Sequence, residues 1–226
     1  MINSPTENDY IDIHTHSKKV EKDVFRILNV FPEDFNKSSV NQPISIGLHP
    51  WHIKDQDIGN IGDVLRHSAQ LPQVKAIGET GLDRVISTNF AIQEEIFNIH
   101  IKIAVELNKP LIIHCVKAYS EIIRIKNKFS SGISWIMHGF DGNVIIAEDL
   151  ISKGLYISLG SRFLKNKLKT VKISDYIPAD RIFIETDEDK TSIKDIYNQV
   201  AELYNTDVTH LKEIIRLNYL NVFKGE

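Results

Sequence analysis

Two histidines separated by one residue close the apolar run Tyr10-Ile11-Asp12-Ile13-His14-Thr15-His16, and this spacing is the first chemistry the chain offers. Side chains alternate along a strand, so His14 and His16 are expected on one side, where two imidazoles can share one metal ion. Four more candidates end apolar strand-like runs downstream: Glu79, His114, His138 and Asp187. Singly, each has an ordinary alternative. A strand-end histidine is commonly hydrogen-bonded in a loop or core, and a lone acid there can cap the next helix. Together the six read as a metal site, because clustered imidazoles and carboxylates in an apolar setting are costly unless a cation offsets them. Nitrogen and oxygen donors without thiolate suit zinc, manganese, iron or magnesium.

The elements that must carry these residues follow from periodicity. Strand-like runs fall at 10–14, 24–30, 44–48, 74–79, 111–114, 133–138, 155–159 and 181–187. The strongest helical stripe is Ile92, Ile96, Ile99, Ile103 and Leu107, with Thr88 or Asn89 as N-cap and Asn108-Lys109-Pro110 as the stop. Further helices are expected at 58–69, 120–129, 144–152, 191–204 and 208–222. Strands that alternate with helices signal a parallel α/β architecture, and eight of them suggest a closed, TIM-like (β/α) barrel. All six candidates then sit at strand C-termini, where such a barrel gathers its active site at one mouth. The weak joint is between the first two strands, where too few residues remain for a crossover helix. The barrel is therefore expected to lack one or two outer helices near its start.

The 226 residues, 42% hydrophobic, suit a single domain spanning 1–226, and no repeat or low-complexity tract interrupts them. A formal net charge of -3 argues against a broad basic surface that coats nucleic acid, so any phosphate recognition must be local. The short basic run at 165–172 reads as a loop or solvated face. Cys115 is the single cysteine, which fits a reducing compartment. Residues 1–9 are polar and no stretch is long and apolar enough to span a bilayer, so a soluble, cytoplasmic protein without a membrane partner is expected.

The order of the motifs resembles the TatD family of metal-dependent hydrolases, within the amidohydrolase-type barrels. The matching elements are Asp12-Ile13-His14-Thr15-His16, Gly47-Leu48-His49-Pro50-Trp51, Ile77-Gly78-Glu79-Thr80-Gly81-Leu82-Asp83, Ile113-His114-Cys115, His138-Gly139-Phe140-Asp141-Gly142 and Glu185-Thr186-Asp187. They span nearly the whole chain. The resemblance implies a two-metal phosphodiesterase or deoxyribonuclease acting on DNA ends or small nucleotides; a monomer is expected. By that resemblance His14, His16 and Asp187 hold one divalent ion and His114 and His138 hold the second. Glu79 bridges the two, and the ions are zinc, manganese or magnesium. Asp187, beside the attacking water, is the expected general base, and Glu79 and Asp187 are the catalytic pair.

Substrate contacts are expected from His49, which could reach a phosphate oxygen or equally serve in packing and hydrogen bonding beside Pro50 and Trp51, and from Lys117 and Arg84. Many family members carry an arginine soon after the fifth-strand histidine; here the run is His114-Cys115-Val116-Lys117, so a planar fork gives way to a point charge. Glu188 and Asp189 add two acids near the mouth. Trp51 and Phe140 can either stack on a base or pack within loops. Two other readings keep the metals and change the outcome: hydrolysis of a cyclic amide or lactone, or a metal-binding barrel without turnover.

Overall fold

In a computed structural model the chain forms eight parallel strands in sequential order. These are β1 (Tyr10–Thr15), β2 (Val24–Val30), β3 (Ile44–Ile46), β4 (Val74–Asp83), β5 (Leu111–Val116), β6 (Trp135–Met137), β7 (Tyr156–Leu159) and β8 (Ile182–Ile184). The structure describes residues 4–32, 42–53, 57–129, 132–165 and 174–223. The ring closes where Thr15 bridges Asp187 in parallel. There the Asp187 N–H donates to the His14 carbonyl at 3.0 Å and the His16 N–H donates to the Asp187 carbonyl at 3.2 Å. The result is the TIM-like barrel that the alternation predicted.

The strands are runs of branched aliphatics because parallel strands in a barrel are covered on both faces. Ile112, Ile113, Ile136, Ile157, Ile182 and Ile184 are fully buried. Around them lie α1 (Asp57–Ala69), α2 (Phe90–Glu106), α3 (Tyr119–Lys126), α4 (Val144–Ser152), the short α5 (Ser161–Leu164), α6 (Ile193–Leu203) and α7 (Val208–Val222). In α2 the cap is Asn89, whose side chain accepts from the Ala91 N–H at 2.9 Å. The helix stops at Asn108, which takes a left-handed φ of 51°. In α6, Ile193, Ile196, Tyr197 and Val200 follow helical spacing and are buried, each apolar side chain worth about 1.5–3 kcal/mol. The Tyr197 hydroxyl donates to the Ile11 carbonyl at 3.1 Å and accepts from the Ile11 N–H at 3.0 Å, which ties β1 to the end of the chain.

One feature agrees with the sequence reading and two depart from it. Residues 16–23, between β1 and β2, contain no helix, as their number predicted; Arg26 on β2 instead holds this connection through the Lys19 carbonyl and through Glu21 at 3.0 Å. The fourth strand outruns the expected 74–79: β4 continues to Asp83, with a register shift between Ile77 and Thr80. Glycine makes this possible, since Gly78 and Gly81 take φ of 145° and 150°, and a Cβ on Gly81 would strike the His114 carbonyl on β5. The last strand is shorter than 181–187, so Glu185 to Asp187 leave the sheet toward the mouth. Residues 33–41 of the β2–β3 connection and most of the 165–172 run lie outside the described residues.

Candidate active site

Glu79 is the centre of the site, almost fully buried on β4. Its two oxygens face different partners. Oε2 lies 3.3 Å from His14 Nε2 and 3.6 Å from His16 Nε2, and Asp187 Oδ1 stands 3.7 and 3.6 Å from those same nitrogens. Oε1 lies 2.7 Å from His138 Nε2, 3.0 Å from His114 Nδ1 and 3.2 Å from His49 Nε2. All six candidate ligands therefore converge at the C-terminal mouth. The route for β1 differs from simple alternation, because its register slips between Asp12 and Thr15, yet both imidazoles still meet Glu79.

The donor set fits divalent cations on an observation internal to the chain. His14 is fully buried, and neither ring nitrogen has a hydrogen-bond partner; its approach to Glu79 lacks hydrogen-bond geometry. A buried polar group left so costs about 1–3 kcal/mol, and a cation is the partner that imidazole nitrogen beside carboxylate oxygen would take. Donor atoms of His14, His16 and Glu79 lie within 4.8 Å of one another, as do those of His14, His138 and Asp187, and those of His49, Glu79 and His114.

A layer of carboxylates stands behind the imidazoles. Asp83, at the end of β4, lies 3.3 Å from His114 Nε2, and Glu185 lies 3.6 Å from His138 Nδ1. In each case the other ring nitrogen faces Glu79; Asp83 is hydrogen-bonded to His114 and so placed to fix that ring, whereas Glu185 stands beside His138 Nδ1 without a hydrogen bond. Asp83 is itself held by the Trp51 indole N–H at 2.7 Å and the Val85 N–H at 2.8 Å; Glu185 accepts from the Gly139 N–H at 2.6 Å. Asp12 accepts from the Thr186 N–H at 3.0 Å and hydroxyl at 2.7 Å, which places the turn that carries Asp187. These three acids were missed as site residues. Their signal was present, since each stands two or four residues from a ligand inside the same motif.

His49 differs from the other imidazoles. Its Nδ1 accepts from the Trp51 N–H at 3.1 Å, so in the neutral ring the proton sits on Nε2. Burial, opposed by Glu79, lowers its pKa and favours that neutral ring. His49 is thus a donor whose Nε2 faces Glu79 Oε1.

The two expected cations stand outside that group. The Arg84 guanidinium is paired with Glu121 and lies 4.1 Å over the Phe90 ring, and Lys117 is exposed just beyond β5; neither is among the residues lining the cleft above the ligands. That cleft, about 140 Å³, is lined instead by Arg162 of α5, together with Trp51, His16 and His138. Arg162 forms no hydrogen bond or ion pair with any described residue. Of the two added acids, Glu188 lines the cleft, while Asp189 is engaged by the Ser161 hydroxyl at 2.6 Å, Thr191 and Lys165.

Electrostatics favour an anionic Glu79 facing a protonated His138. Burial opposes charge on both, but the pairing outweighs it: His138, His114 and His14 hold Glu79 well below the usual carboxylate range, and Glu79 and Glu185 push His138 well above the usual imidazole range. A ligating imidazole must be neutral, so metal loading has to expel that proton. Titration of the metal-free protein with zinc or manganese at pH 7, in buffers of differing ionisation enthalpy, should show at least about one proton released per chain. Affinity should weaken as pH falls, and zero release at pH 7 would contradict the pairing.

Residues 33–224 match the family model for TatD related DNase. The chain is 32% identical over 209 residues to an uncharacterized metal-dependent hydrolase of Buchnera aphidicola subsp. Baizongia pistaciae, covering 86% of this chain and 77% of that one. It is 31% identical over 147 residues to the 3'-5' ssDNA/RNA exonuclease TatD of Erwinia tasmaniensis, covering 62% of this chain and 56% of that one. The fold superposes on the crystal structure of YJJV, a TatD homolog from Escherichia coli K12, with a TM-score of 0.81 at 18% identity, covering 98% and 100% of the two chains. With the mouth of a parallel barrel holding imidazoles and carboxylates around Glu79, the chain belongs to the TatD-related DNase family and is a metal-dependent hydrolase.

Proposed function

We propose that this enzyme hydrolyses phosphodiester bonds at the free end of a nucleic-acid strand or in a small nucleotide, with two divalent ions shared by Glu79. The observation that carries the reading is the division of Glu79: one oxygen toward His14 and His16, the other toward His114 and His138. Two cations so held would polarise a phosphoryl oxygen and lower the pKa of a water. The chain supplies the rest. Asp187, with its side chain about one-third exposed, is open to solvent at the mouth and accepts the proton of the attacking water. His49 donates from Nε2 to a phosphate oxygen. Asp83 and Glu185 keep His114 and His138 oriented through both steps of substrate entry and product exit.

Arg162 is the cation placed to grip the phosphate backbone, in a role the sequence reading gave to Lys117 and Arg84. A charge-assisted hydrogen bond is worth about 1.5–3 kcal/mol, so Arg162→Ala should raise KM for an oligonucleotide by roughly 10- to 100-fold. Its kcat should move little, since such a grip is equal in ground and transition states. Lys117→Ala and Arg84→Ala should stay within about threefold of the parent. A larger effect from either than from Arg162→Ala would return the role to it.

Among the described residues no helix is long and apolar enough to cross a membrane. We place the enzyme in the cytoplasm as a monomer; its single cysteine and its complete set of ligands within one chain support this. The decisive experiment is a screen with zinc, manganese or magnesium over single-stranded DNA, RNA, a lactone and a cyclic amide. Phosphodiester hydrolysis is expected. Turnover of the lactone or cyclic amide alone would overturn the reading, although β5, Leu111–Val116, carries no lysine of the kind that bridges metals when carboxylated.

A further inference from the structure

Trp51 stands apart from the other large aromatic residues near the mouth. Phe140 is buried, but the Trp51 side of the short helical turn Pro50–His52 is open, and the residue is 60% exposed. Such exposure is not looseness. The Trp51 backbone N–H is held by His49 Nδ1, and the indole N–H is held by Asp83 Oδ2 at 2.7 Å. The ring stands edge-on to His49, with centroids 5.1 Å apart, and 6.2 Å from the His114 ring. It therefore lines the cleft at the histidines that face Glu79 Oε1, with Phe31 and His52 on the same cleft.

We infer that Trp51 is a stacking platform for an unpaired nucleobase beside the scissile phosphate. This rests on the phosphodiesterase reading above. An aromatic ring that is already immobilised loses little conformational freedom when a ligand covers it, so its apolar face contributes binding at low entropic cost. Every base has a π-face, so stacking is tolerant of sequence, but a base inside a duplex already has neighbours on both faces. The local charge agrees with this division of labour. Among the described residues that line the cleft, Arg162 is the one Lys or Arg, against the acids Glu79, Asp187 and Glu188, so their attraction for a polyanion is small and short-range contacts contribute to grip. The Trp51–Asp83–His114 chain also fixes the platform to a residue that faces the metal-binding carboxylate, which keeps base and phosphate in register.

Two variants separate the ring face from the indole N–H. Both Trp51→Phe and Trp51→Leu remove the hydrogen bond to Asp83, so any difference between them reads stacking alone. With metal-loaded enzyme, Trp51→Leu should raise KM for a single-stranded tetranucleotide about tenfold over Trp51→Phe. For a tetranucleotide of abasic residues the two should agree. Binding is read independently: a phosphorothioate-linked deoxyadenosine tetranucleotide should quench Trp51 fluorescence, and Trp51→Phe should abolish the change, because the remaining Trp135 is fully buried. Equal KM values for the two variants, or no quenching at saturating tetranucleotide, would overturn the platform. Quenching without hydrolysis of any phosphodiester would uphold the platform and overturn the phosphodiesterase reading instead.

Discussion

Glu79→Gln should cut the bound divalent metal from two ions per chain to one or none, and should lower turnover by about 10³-fold or more. Metal-ion stabilisation of the transition state is worth several kcal/mol, and each 1.36 kcal/mol is a factor of ten. The substitution keeps the volume of the side chain, so the packing of β4 against β5 is preserved and the change is one of charge. That charge has two jobs in the structure. Oε2 and Oε1 face separate groups of imidazoles at 2.7 to 3.6 Å, and a neutral amide can present only one oxygen to one of them. The amide nitrogen, a donor, would sit where a cation is wanted. Metal content by elemental analysis and kcat on a single-stranded oligonucleotide check both halves, with circular dichroism to show that the barrel persists. Retention of two ions and full turnover would end the bridging assignment.

The readability of the site divides along a physical line. His14, His16, Glu79, His114, His138 and Asp187 were legible because each combines a ligand type with an apolar run that a parallel barrel ends at its mouth. The tasks of Asp83 and Glu185 were not, since they depend on which ring nitrogen of a residue on another strand is left over. Arg84 is adjacent in sequence to Asp83 and yet is engaged by Glu121 and Phe90, whereas Arg162, far from every motif, lines the cleft from α5, which directly follows β7. Sequence distance is a poor guide to where a long side chain ends. In the fold, the missing helix between β1 and β2 was legible from the length of the connection alone. The extension of β4 was hidden, because Gly-Glu-Thr-Gly has the composition of a turn and only the positive φ of its glycines reveals a strand. Trp51 and Phe140 offered the same chemistry in sequence, and burial alone separates them.

Asp187→Asn should reduce kcat by about 10²- to 10⁴-fold, the usual range for loss of a general base, while KM for the oligonucleotide changes little. The backbone makes this a clean substitution. Asp187 takes a left-handed φ of 53°, and asparagine tolerates that region as well as aspartate does. Its main-chain N–H and carbonyl are held by His14 and His16, and the preceding Thr186 is held by Asp12, so the side chain starts from a fixed point with either residue. Asp187 Oδ1 also stands 3.7 and 3.6 Å from the nitrogens of His14 and His16, so the same change weakens one ion's donor set. The two roles separate experimentally. A pure ligand loss is overcome by raising the free metal concentration until occupancy returns, and kcat recovers with it. A lost base is not replaced by metal, because an amide oxygen has almost no affinity for the proton of the attacking water. Recovery of kcat to within about tenfold of the parent at saturating manganese would therefore move the general base away from Asp187. A deficit that persists at full occupancy keeps the proton on the one acid that closes the barrel between β8 and β1.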